Sequence, residues 1–128
     1  MLKRIGFLIG AILLLAACGP ITPTPTGGPV YINSSDLLIM ESYPVQVSLH
    51  ISGELPTPCH EFRSQVAGPD EQNRIFVTSW SEIDPNTVCI QVLEPFDLSI
   101  PIPMEGSGEA SYPVYLNGEL VGEFRYPA

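Results

Sequence analysis

Proline and glycine set the first limit on what this chain can become. Its 128 residues include 14 Pro and 11 Gly, spread from end to end. Proline lacks the amide hydrogen that a helix interior uses, and glycine costs a helix backbone entropy. Beyond residue 30 no twelve-residue window carries a clean helical period free of both, which argues against a helical bundle. The apolar residues alternate with a period of two instead. Val45, Val47, Leu49 and Ile51 interleave with Gln46, Ser48, His50 and Ser52, the pattern of a half-buried strand. Phe96, Leu98, Ile100 and Ile102 interleave with Asp97, Ser99, Pro101 and Pro103. Prolines on the polar side predict an edge strand or a strand end. Segments 74–80 and 87–93 are rich in β-branched and aromatic residues and predict two more strands. In 87–93 the alternation sets Val88, Ile90 and Val92 on one face and Cys89 on the other. Residues 36–40 form a shorter apolar run, and Asn117-Gly118 predicts a type I′ hairpin turn. Turn compositions at 54–58, 67–70, 84–86 and 105–108 separate these runs. The expected fold is all-β, an antiparallel β-sandwich of about seven strands over residues 30–128, near the ~100 residues of a two-sheet domain.

The N-terminus is of a different kind. Lys3 and Arg4 precede an apolar run from Ile5 to Leu15, and small residues follow. This is the layout of a secretory signal peptide. The uncharged stretch is shorter than the ~20 residues a spanning helix needs. Leu15-Ala16-Ala17-Cys18 resembles the lipobox of bacterial lipoproteins. The resemblance implies that the Cys18 sulfur receives a diacylglyceryl group and that residues 1–17 are cut away. Two acyl chains supply the double anchoring that one chain cannot. An ordinary signal peptide with an incidental cysteine is the alternative. Residues 19–29, GPITPTPTGGP, favour extended polyproline II with a glycine joint. Residues 18–29 are thus expected to form a lipidated cysteine and stalk. The implied location is lipid-anchored, on the extracytoplasmic side of the cell membrane or the outer membrane.

Charge narrows the partners. Five Lys and Arg stand against 14 Asp and Glu, and without Lys3 and Arg4 the balance falls from −9 to −11. Nucleic acid and anionic lipid both call for a basic surface, so no nucleic-acid partner is expected. The membrane contact is expected to run through the N-terminal lipid, with a protein or envelope ligand as the other partner.

Beyond Cys18 two cysteines remain, Cys59 and Cys89. Outside the cytoplasm disulfides persist, and one bridge is the simplest use of such a pair. A metal site of Cys59, His60 and Cys89, with His50 as a fourth ligand, is the alternative. The spacing fits no zinc template, and neither metal nor cofactor is expected. Cys59, Trp80 and Cys89 follow the immunoglobulin order, but Thr87 stands where a tyrosine corner would be. The likeness is therefore one of architecture, with the bridge expected to tie a loop to a sheet surface. Leu55-Pro56-Thr57-Pro58-Cys59-His60, Val88-Cys89-Ile90-Gln91, Pro95-Phe96 and Tyr112-Pro113-Val114 with Asn117-Gly118 resemble a small Ig-like β-domain of bacterial envelope lipoproteins. The resemblance covers roughly residues 46–124 and implies a fold and a location, with no activity to carry over.

A catalytic set is hard to find. His50 lies on the polar side of a strand, and His60 adjoins a half-cystine. Gly106-Ser107-Gly108 lacks the spacing of a nucleophile elbow. The carboxylates near Asp70 and Asp84 fall in turns and lack EF-hand spacing. The expected function is a non-enzymatic binding or structural module. An inhibitor of secreted proteases is the alternative, using loop 54–60 or loop 106–112 as a wedge. Pro56, Pro58, His60, Ser107 and Tyr112 are the candidate interaction residues on those loops. A small hydrolase using His50 or His60 is a third reading.

Overall fold

The computed structural model describes residues 26–127. The leader 1–17, Cys18 and stalk residues 19–25 lie outside the described residues, as does Ala128. The elements are β1 (Thr26–Gly28), β2 (Tyr31–Met40), β3 (Gln46–Leu55), β4 (Glu61–Ala67), β5 (Ile75–Ile83), β6 (Glu94–Ile102), β7 (Ala110–Leu116) and β8 (Glu119–Tyr126). They form two sheets. One has the order β2-β3-β6. The other has β5 at its centre, with β4 along one side and β1, β7 and β8 on the other.

The alternating strands read from the sequence are present. Val47, Leu49, Ile51 and Leu55 of β3 point inward and are buried. Ile100 and Ile102 of β6 meet them from the same sheet, while Pro101 stays exposed. As the prolines imply, β6 is an edge strand, where a missing amide hydrogen costs no ladder bond. Ile75 and Val77 of β5, Tyr112, Val114 and Leu116 of β7, and Phe124 of β8 close the core from the other sheet. The core holds aliphatic side chains from both sheets, and Tyr112 stacks on Phe124 with ring centroids 5.7 Å apart.

Three features depart from the sequence reading. First, residues 26–28 belong to the sandwich and not to the stalk, because β1 pairs antiparallel with Ser81–Ile83 at the end of β5. Second, β5 and β7 pair in parallel, Ile75 opposite Val114 and Val77 opposite Leu116. One pair in an otherwise antiparallel sandwich is therefore parallel, which needs a crossover between the strands. Third, 87–93 is not a strand. A strand needs a neighbour with free backbone groups. The edges of the central strands are taken, β5 by β4, β7 and β1 and β3 by β2 and β6, and the segment pairs with none of the outer strands. The segment instead forms an exposed loop that starts in a turn, with the Thr87 amide donating to the Asp84 carbonyl at 3.0 Å.

Asn117 and Gly118 have φ of 50° and 88°, as the hairpin turn between β7 and β8 requires. Asn117 also does the work of a strand residue. Its amide donates to Val77 O at 2.9 Å, and its Oδ1 accepts from the Ser79 amide at 2.8 Å. Its Nδ2 donates to Ser79 Oγ at 2.8 Å. The edge of β5 is thus satisfied in three stretches: by β7 up to Val77, by Asn117 at Ser79, and by β1 from Ser81.

Candidate functional site

The register gives the sandwich two distinct ends. At one end Thr26 enters opposite Ile83, Tyr31 lies opposite Glu54, and Leu55 lies opposite Glu94. At the other end lie the turn after Met40, the turn between β4 and β5, and the loop between β6 and β7.

The entry end is held by a small polar cluster. Thr57 is 3% exposed. Its Oγ1 lies 2.7 Å from His60 Nδ1 and accepts from the Cys59 amide at 3.3 Å. The His60 amide donates back to Thr57 O at 3.2 Å. Ser81 is fully buried, and its hydroxyl donates to Pro29 O at 2.9 Å. Gly28 passes so close that a Cβ there would stand 2.9 Å from Ser81 Oγ and 3.5 Å from the His60 ring. The cluster therefore fastens the entering strand β1 to β5 and to the β3–β4 connection. Two serines, Ser79 and Ser81, sit in the inward phase of β5 after Ile75 and Val77. That phase was visible in the sequence; the partners Asn117 and Pro29, 38 and 52 residues away in the chain, were not.

Cys59 and Cys89 are joined by a disulfide, with their Cα atoms 6.1 Å apart. It joins the β3–β4 connection to loop 84–93 and does not cross the core. This differs in one respect from the expected loop-to-sheet tie, because 87–93 is itself a loop. Only Cys89 of residues 84–95 is sheltered. Val88 is 98% exposed and Ile90 67%, and Val92 and Leu93 are also exposed.

The candidate loop residues separate by position. Pro58 is exposed, Pro56, His60 and Ser107 are half-buried, and Tyr112 is buried in the core. Tyr112 therefore offers no contact surface. Its hydroxyl donates to Gly108 O, which pins the β6–β7 loop from inside. A protease-directed wedge needs an extended, exposed segment, whereas in loop 54–60 Leu55 and Thr57 are buried.

The histidines stand apart. His50 Nε2 lies 2.7 Å from Asp97 Oδ1 on the outer face of the three-stranded sheet. No serine, threonine or cysteine side chain bonds to His50 among the described residues. His60 is bonded to Thr57, while the Ser81 hydroxyl hydrogen is directed at Pro29 O. Neither histidine thus has a bonded nucleophile and an orienting carboxylate together. Asp70 is also committed locally. It accepts from the amides of Arg74 at 2.8 Å and Gln72 at 2.9 Å, and from Arg74 Nε at 2.8 Å. The Arg74 amide, and after it the Arg74 guanidinium and the Gln72 amide, hold its carboxyl below the ordinary value. Among the described residues no three His, Cys, Asp or Glu side chains converge as metal ligands would.

The far end carries a cleft of about 700 Å³ between the two sheets. Val45, Val47, Val66, Ile102 and Met104 make it apolar, and Glu105 stands at its side. Its size falls in the range of small-molecule and peptide-side-chain sites. The sequence reading did not single out this cleft, because its walls come from strand ends far apart in the chain.

A family model described as ORF11 beta-sandwich domain matches residues 49–126. The match runs from within β3 to the end of β8 and takes in both cysteines. Neither the curated proteins nor the solved structures give a match.

Proposed function

The chain belongs to the ORF11 beta-sandwich domain family, and from that premise we propose that it is a lipid-anchored, extracytoplasmic, non-enzymatic binding module. Its lipid would sit on Cys18 and its ligand surface at the far end of the sandwich. One observation carries this reading. The N-terminal segment enters beside Ile83, and the apolar cleft lies at the opposite end of the strands. A lipobox-like sequence only a few residues before Thr26 would bring the entry end to the membrane and turn the cleft outward. The bond between His60 and Thr57 and the commitment of the Ser81 hydroxyl to Pro29 O support a structural role for this cluster.

The test uses the full-length protein in its own envelope. A photo-crosslinking residue is placed at Pro103, beside the cleft, and in a second variant at Leu120, exposed on β8. A discrete adduct that forms from Pro103 and not from Leu120 supports the binding module. No adduct from Pro103, with the protein folded and membrane-bound, overturns it.

A further inference from the structure

Loop 84–93 is an oddity for an acidic domain. It exposes Val88, Ile90, Val92 and Leu93 together, on a segment held at Cys89 by the disulfide. Large apolar side chains grouped on one exposed loop mark an interaction surface. Resting on the lipid-anchored reading above, we propose that this loop is a second membrane contact. Its aliphatic side chains would enter the headgroup and upper acyl region beside the anchor.

The length of chain outside the structure selects this occupant. From Cys18 to Thr26 there are eight residue steps, at most about 28 Å when fully extended. The nine residues of β5 span about 30 Å. The tether is therefore no longer than the domain, and it joins the sandwich at the end where the loop projects. Thr26 pairs with Ile83, and the loop begins at the next residue. A short tether raises the effective concentration of the second contact to the order of millimolar, so a weak contact is enough.

Charge fixes the kind of contact. The three arginines of the described domain each face carboxylates: Arg63 with Glu61 and Glu82, Arg74 with Asp70, and Arg125 with Glu109. None is at hand to grip an anionic headgroup. Asp84 and Glu94 flank the loop and stay in water, which limits the depth it reaches. The contact is therefore apolar, and it is weaker on anionic than on zwitterionic lipid.

The test uses the lipidated full-length protein bound to phosphatidylcholine vesicles, with Trp80→Phe removing the native indole. Ile90→Trp reports the loop, and Tyr43→Trp, fully exposed at the far end, is the control. With brominated phosphatidylcholine, Ile90→Trp emission is expected to fall at least two-fold and Tyr43→Trp emission to hold. Replacing part of the lipid by phosphatidylglycerol is expected to reduce the quenching. Vesicle flotation and the acyl mass on Cys18 are measured on the same samples. Protein that floats, with Ile90→Trp quenched no more than Tyr43→Trp, overturns the loop contact alone. Protein that carries no acyl mass and does not float overturns the anchored reading, and the loop proposal with it. A blue shift of Ile90→Trp without vesicles that follows protein concentration assigns the loop to a second copy and overturns the lipid contact.

Discussion

Asn117 is a turn residue that also completes the central strand, and its substitution separates the two roles. Asn117→Ala removes the side-chain bonds to the Ser79 amide and to Ser79 Oγ, and it places an alanine at φ 50°. The left-handed conformation costs an ordinary residue about 1–2 kcal/mol. A half-buried amide left without its acceptor costs about 1–3 kcal/mol. Together the loss is roughly 2–5 kcal/mol, which lowers the melting temperature of a domain this size by about 10–25 °C. Asn117→Gly keeps the turn and loses the bonds, so it should cost only the second part, about 1–3 kcal/mol. Asn117→Asp keeps the acceptor for the Ser79 amide and a side chain that tolerates positive φ, and should cost less than about 1 kcal/mol. Urea unfolding of the three variants gives the order: alanine worst, glycine between, aspartate near wild type. Alanine and glycine variants as stable as wild type would show that β5 does not depend on this side chain. An aspartate variant as weak as alanine would refute the hydrogen-bond assignment.

Three further outcomes follow from the same geometry. Cys59→Ala with Cys89→Ala opens a loop with a sequence separation of 30; the chain-entropy model gives a loss of about 3.6 kcal/mol, so thermal melting should drop by about 15–25 °C with the β-type circular dichroism retained. Gly53→Ala would set a Cβ against the backbone carbonyl oxygen of Tyr31, beside the β2 irregularity between Ile32 and Ser34; it should cost more than about 2 kcal/mol, and an unchanged unfolding midpoint would contradict that packing. The carboxyl of Asp70 is held below its ordinary value, chiefly by the Arg74 amide, so its stabilising effect is present above about pH 4, the unfolded value, and is lost as pH falls through the lowered one. Protection of the Arg74 and Gln72 amides, measured relative to their intrinsic exchange rates, should therefore fall on acidification, and Asp70→Asn should remove that pH dependence.

The fold was legible where alternation alone decides burial. Val47, Leu49 and Ile51 declared β3, the prolines of β6 declared an edge, and Asn117-Gly118 declared the last hairpin. Legibility ended where pairing partners decide. Residues 87–93 have strand composition but pair with none of the strands, and their apolar side chains stand in solvent. Gly27 and Gly28 read as a joint, yet the lack of a side chain at Gly28 is what lets β1 lie against Ser81 and His60. Tyr112 read as a loop residue, yet the parity of β7 turns it into the core. The cysteine pair was legible by count, while the far-end cleft was not, since Val45, Val66 and Met104 meet only after both sheets have packed.

The anchored reading rests on Cys18, and one measurement tests it most directly. Mature protein is isolated from the envelope of the organism that makes it, digested, and its N-terminal peptide is weighed. The expected peptide begins at Cys18 and carries a diacylglyceryl group on sulfur, with no trace of residues 1–17. A peptide that still contains the leader, or one that begins at Cys18 with an unmodified thiol, would contradict the anchor.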